Sequence, residues 1–489
     1  MKFEDKLKDA YNQEISAPNN YQAIEESVVL TKKRKPLSKR FKISLIATAS
    51  ALAGLTAVVT ISLVTYNLLP KEEKIRSLRK ARFSLYDTNL IENETFKALN
   101  HIDYPNNNVF DKVDVDFVTN VNAFAANSFN KMPSTDNLAY SPLMLYSHLD
   151  LISLAASDNE TIAQFDSALL TSDTSLRADN IALAMKNNYF ANDLEKSTVQ
   201  AKQAVFIEYK LGANQTFVNE LTRRRAEAYE LDFQKSDDVD NIITWISQSV
   251  NEQNFISKDD LELEPDSALL FISSLYFDCT WSHTFKTTDT KADNFYLNSG
   301  EVVKTPFMNH VYSGAVQEFD DYFTFKDYYN APYYVQYFAP KNENDNILDV
   351  LPADFLNKSA EPQDGIISLS LPKFNFTAKT DLSKTVQQLG ITNPYIKKSN
   401  HLRNAFKDPE EMVYSYLTYS KQKTSVAFSE DGTTIKSVVM SHGNGGKESY
   451  NHHTNGFDIK LNQPFVYCIR DSVNDLPLLL GTLTNPLAQ

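Results

Sequence analysis

Only two of the 489 residues are cysteine, Cys279 and Cys468, and each sits inside an apolar, aromatic run, LYFDCTW and PFVYCIR. A disulfide framework is thereby excluded and no CxxC pair offers a metal or redox site, so both thiols are expected to act as small buried hydrophobes. Glycine (12) and proline (18) are too scarce for a fibrous or low-complexity chain. No repeat of fixed period is present. Neither Gly-x-Ser-x-Gly nor His-Glu-x-x-His occurs, so no hydrolase motif supports an enzyme. The loop GNGGKES lacks the first glycine and the final hydroxyl of a phosphate loop. His442, His452 and His453 have no cysteine or carboxylate at ligand spacing, so neither a metal nor a cofactor is expected.

Positive charge is also scarce, and unevenly placed. Residues 1–42 hold ten Lys/Arg against six Asp/Glu, a net +4, whereas the whole chain carries -14, which leaves -18 on residues 43–489. An acidic main domain without a basic stripe repels phosphate backbones, which excludes nucleic acid as a partner.

What is abundant is apolar and aromatic: 42% of residues are hydrophobic, with 30 Phe and 25 Tyr, residues that favour half-buried strands. Between Lys42 and Lys71 lie 28 uncharged residues, more than the 20 or so that cross a bilayer, so 43–70 is expected to be a transmembrane helix. The 42 residues before it and its length distinguish it from a cleavable signal peptide. Lys32, Lys33, Arg34, Lys35, Lys39, Arg40 and Lys42 precede the span without an acidic residue among them. The amino terminus is therefore expected in the cytoplasm and the carboxy-terminal domain outside, as a single-pass plasma-membrane protein. Residues 1–42 form a basic cytoplasmic tail, 71–115 a stalk or linker running through the breaker-rich HIDYPNNN, and 116–489 the folded domain.

Within that domain, VDFVTNVNAFAANSFNKM and PLMLYSHLDLISLAA repeat apolar residues at helical spacing, the second behind Ser141 as cap and Pro142 at the first helical position. DVDNIITWISQSVN fits a further helix, whereas ALLFISSLYF, APYYVQYFAP, GIISLSLPKFNF and TSVAFSEDG read as strands. Helices early and strands late indicate an α+β domain.

Four segments, in order, resemble the serpin (serine protease inhibitor) family over roughly residues 117–486. Asn137 to Phe165 is similar to the family's Asn-x-x-x-Ser-Pro helix start, with the Glu160–Thr161 pair. Ala268 to Phe285 resembles its central strand with Phe277, Trp281 and Phe285. Leu371 to Ile391 matches its Leu-Pro-Lys-Phe strand and Asp-Leu helix, and Gln463 to Pro486 its closing hairpin. The resemblance implies the serpin fold: helices plus a large central mixed sheet and a reactive loop.

It also implies a mechanism. An extracellular protease cleaves the loop, whose first part then inserts as a new strand and traps the acylated protease by releasing stored strain. No residue of the inhibitor is itself catalytic. The hinge is matched by Glu430, Gly432, Thr433, Thr434, Ile435 and Lys436, and the candidate scissile region by Gly446, Lys447 and Tyr450. An inserted strand would turn Thr433, Ile435, Ser437, Val439 and Ser441, all uncharged, toward the core. Inhibitory members carry small residues where this chain has Ile435 to Val438. Bulky side chains slow insertion, so the alternative expectation is a non-inhibitory binding or scaffold protein on the same fold. Ser273 and Gln422 also depart from the family's usual Asn and His at positions tied to sheet opening.

Overall fold

The computed structural model describes residues 90–104, 110–132, 136–192, 197–342, 345–436 and 456–488. The tail, the 43–70 span and the candidate scissile residues Gly446, Lys447 and Tyr450 lie outside the described residues, and among those described no helix is long and apolar enough to cross a membrane.

The chain opens with β1 (Lys97–Ala98), helix α1 (Val115–Phe129), β2 (Leu138–Tyr140), α2 (Pro142–Ser153), α3 (Asn159–Ala168) and α4 (Thr174–Asn187). β3 (Tyr189–Asn192), β4 (Ser197–Glu208), α5 (Gln215–Arg223), β5 (Glu227–Leu231) and α6 (Ser236–Ser249) follow. Side-chain caps account for most helix starts: Asp114, Ser141, Asp158, Asp173 and Asn214 each accept a backbone N–H of the first turn that no helical carbonyl can reach.

Strands dominate the rest, as the aromatic content predicts. They are β6 (Leu269–Thr280), β7 (Lys291–Tyr296), β8 (Val302–Glu318), β9 (Tyr322–Tyr328), β10 (Tyr333–Pro340), β11 (Pro362–Pro372), β12 (Phe374–Asp381), β13 (Lys421–Phe428), β14 (Gly432–Lys436), β15 (Gly456–Lys460), β16 (Phe465–Asp471) and β17 (Pro477–Leu483). They build two mixed sheets. The first runs β1-β5-β4-β6-β14-β13-β12, with β3 added to β4; the second runs β15-β11-β8-β9-β10-β16-β17-β2, with β7 added to β8. The run GIISLSLPKFNF, read as one strand, is divided between the sheets: β11 belongs to the second and β12 to the first, with Lys373 between them.

The main core lies between the sheets and under α1 and α2, around Trp281, Phe374, Tyr467 and Leu480. A smaller core joins α6 to the outer face of the first sheet through Trp245, Phe206 and Tyr229. Phe96 belongs to this second core although it falls within the segment read as a stalk. It is fully buried and stacks on Tyr229, with ring centroids 5.4 Å apart. Asn93 and Thr95 bond to Asp238 at 2.8 and 2.6 Å, the Ile91 N–H and carbonyl both bond to Asn241, and β1 pairs with β5. Residues 90–104 are thus part of the folded unit, tied down by partners far along the chain rather than by a period of their own, as Tyr104 is by Glu227.

Candidate functional site

The hinge residues are stapled from three sides. Glu430 Oε2 accepts from Lys373 Nζ at 2.7 Å and Oε1 from Thr290 at 3.0 Å, and the Lys373 contact holds its carboxyl below the usual range. The turn after it is closed by Ser429, whose N–H and hydroxyl both donate to the Gly432 carbonyl. Trp281 fixes that turn, its indole N–H donating to Ser429 O at 2.8 Å and its backbone N–H to Asp431 O.

From Gly432 the chain enters the first sheet. β14 pairs antiparallel with β6 on one side, Gly432 opposite Thr280 and Lys436 opposite Tyr276, and with β13 on the other, Thr433 opposite Phe428 and Lys436 opposite Ser425. Side chains alternate as a strand requires. Thr433 and Ile435 are fully buried, and the Thr433 hydroxyl accepts from Tyr329 Oη at 2.8 Å. Tyr329 is in turn stacked on Trp281, ring centroids 4.6 Å apart, and burial pushes its phenol far above the ordinary value. Thr434 points the other way and donates to Asp278 Oδ1 at 3.1 Å. Ile435, bulky where the family has a small residue, fits the main core as it stands.

β14 spans only the upper part of the interval. Among the described residues the lower halves of β6 and β13 pair with β4 and β12 but not with each other. Between them opens a groove of about 440 Å³, walled by Phe271 and Ser273 on one side and Gln422 on the other, and floored by Met144 and His148 of α2. A strand-wide gap continues the line of β14.

Six of the sequence-derived site residues, Glu430, Gly432, Thr433, Thr434, Ile435 and Lys436, are therefore brought together at the head of this groove. Their holders Lys373, Thr290 and Tyr329 were not legible as partners; Lys373 and Trp281 stand in the motifs but there mark only the fold. No group of three or more His, Cys, Asp or Glu side chains among the described residues is arranged to hold a metal ion. Both cysteines are buried, and neither forms a disulfide.

A family model described as Serpin (serine protease inhibitor) matches residues 119–486. Serpin-Z10 of Arabidopsis thaliana is 23% identical over 365 residues, covering 72% of this chain and 92% of its own, and human Serpin I2 is 21% identical over 378 residues, covering 72% and 87%. Among solved structures, the thermophilic serpin tengpin in its native state superposes with a TM-score of 0.63 at 22% identity, over 80% of this chain and all of its own. The chain belongs to the serpin family, whose members are generally protease inhibitors.

Proposed function

We propose that this chain is a protease trap held on the outer face of the plasma membrane by residues 43–70, and not an enzyme. Cleavage within the 437–455 segment, at or near Gly446, Lys447 or Tyr450, would release its first part to prolong β14 down the groove. The observation that supports this most is the placement of β14: the hinge is already seated between β6 and β13, and an unfilled gap lies below it. Were the register of β14 to continue on insertion, Ser437, Val439 and Ser441 would come opposite Leu275, Ser273 and Phe271, on the face that Thr433 and Ile435 share. Adding one strand to a sheet supplies backbone hydrogen bonds along its whole length, a large driving force once the loop is cut.

The second reading, a binding protein that does not trap, rests on Lys436 and Val438, which are not small. One comparison separates the two. The full chain in detergent is cut by a serine protease of trypsin-like preference, and its thermal midpoint is compared with that of the uncut chain. A large rise, with an undissociated protease adduct at equimolar mixing, supports the trap; an unchanged midpoint leaves the binding role. Membrane display is tested separately by protease shaving of intact cells, which should remove the domain and spare the amino-terminal tail.

A further inference from the structure

α2 is buried from Pro142 to Ile152 at every residue except His148, which lies under the groove and lines it. Its Nδ1 is 3.0 Å from Ser273 Oγ, and its ring meets Phe271 edge-on at 6.2 Å. Nε2 has no hydrogen bond among the described residues. Beside it Gln203, fully buried and opposite Ser273 in register, accepts from Ser147 at 2.9 Å through Oε1 and leaves Nε2 without a partner. A polar knot of Ser147, His148, Gln203 and Ser273 thus lies at the middle of a groove whose walls are otherwise largely apolar.

We propose that His148 is a positioning residue that checks strand insertion, by presenting an unpaired ring nitrogen to the valine that would have to cover it. This deepens the trapping reading and rests on it. The occupant is the segment that follows Lys436 at the mouth of the groove; if it continued the register of β14 on insertion, Val439 would come opposite both Ser273 and Gln422, on the face toward His148. With the groove open, water can serve the imidazole. Burial has already pulled its pKa down to about 4, so at neutral pH the ring is uncharged and still needs one partner for Nε2. A valine drives the water out and offers nothing in exchange, which leaves a buried polar atom unmade. Insertion is therefore slowed at that point, independently of the hinge.

The test measures, after cleavage of the full chain with trypsin, how fast the cut protein gains resistance to a temperature that unfolds the uncut one. Val439→Thr, which returns a hydroxyl to Nε2, and His148→Leu, which removes the nitrogen, should each quicken that gain about tenfold, the effect of relieving one unsatisfied buried group. The two should not add: in the His148→Leu chain, Val439→Thr buries a hydroxyl beside leucine and should slow insertion. His148→Gln, which keeps a polar atom there, should respond to Val439→Thr as the wild type does, and it serves as the second background if His148→Leu does not fold. Equal effects of Val439→Thr in the wild-type and leucine backgrounds, or no effect in the wild type, overturn the role of His148. If no chain gains resistance after cleavage, the trapping reading itself falls, and the inference with it.

Discussion

Gly432 is where the hinge meets β6 most closely, and a single methyl group there tests the whole seating of β14. A Cβ built on Gly432 would stand 2.2 Å from the Cys279 carbonyl oxygen, 2.8 Å from Thr280 Cα and 2.9 Å from Cys279 C. All three are backbone atoms at the end of β6, which is held by its pairing with β4 as far as Asp278 and by the bond from the Asn330 N–H to the Thr280 carbonyl, so they yield little. In Gly432→Ala the hinge must instead withdraw by about 1 Å to reach ordinary contact, at a cost of roughly 1–3 kcal/mol for overpacking. The same shift takes Thr433 out of reach of Tyr329 and forfeits about 1 kcal/mol more. A total of about 2–4 kcal/mol lowers the seated population some 30- to 1000-fold, at tenfold per 1.4 kcal/mol. Amide hydrogen exchange of peptides covering Thr433 to Ile435 reads that population directly, and protection there should fall by this factor while the β4 amides keep theirs. Gly456→Ala is the control, because a Cβ at that position meets nothing within 4 Å. Unchanged protection at Thr433 in Gly432→Ala would refute the geometry; an equal loss in every strand would show a global rather than a hinge effect.

Asp150 on α2 sits between Arg177 of α4 and Arg224 just beyond α5, all three side chains essentially without solvent contact. Asp150→Asn strands two buried guanidiniums; since Asp166 and Glu220 still touch them, the low end of the usual penalty applies, about 3 kcal/mol or ~4 °C in thermal midpoint for a domain of this size. A shift below about 1 °C would deny that the network supports the fold. Phe96→Ala should destabilise the full chain by about 3 kcal/mol and, by differential scanning calorimetry, to a greater extent than any substitution at exposed Ile91; equality would mean that residues 90–104 do not contribute to the folded unit. Burial pushes the Asp471 carboxyl up to about 6. Because the folded form holds that proton more tightly than the unfolded one, the stabilisation is present at pH 4 and is lost as pH rises through 6, by up to ~3 kcal/mol. Urea midpoints of Asp471→Asn should lack this decline relative to wild type, and parallel curves would exclude it.

Local patterns made much of this legible. The helices at α1, α2 and α6 and the strands at β6, β10 and β13 follow from spacing and caps that act within a few residues. The alternation that turns Thr433 and Ile435 inward was likewise readable, since it depends only on which residue begins the strand. What could not be read is who meets whom. The Lys373–Glu430 pair, the Tyr329–Thr433 bond and the His148–Ser273 contact join residues 57, 104 and 125 positions apart, and no local rule links them. Residues 90–104 were missed for a related reason: their order comes from bonds to Asp238 and Asn241 of a later helix, not from a pattern of their own.

The division of one apolar run between β11 and β12 has a consequence in counting. Ile367, Leu369 and Leu371 are buried at odd positions, whereas Pro372, Phe374 and Phe376 are buried at even ones, so the corner that Lys373 completes shifts the phase by one residue. Without it the chain would keep an unbroken alternation and deliver both phenylalanines to the wrong face of the first sheet. That same residue leaves its ammonium group on Glu430. A deletion of one codon at this corner would therefore do two unrelated harms at once, turning a strand inside out and unpinning the hinge, while most neighbouring substitutions would do neither.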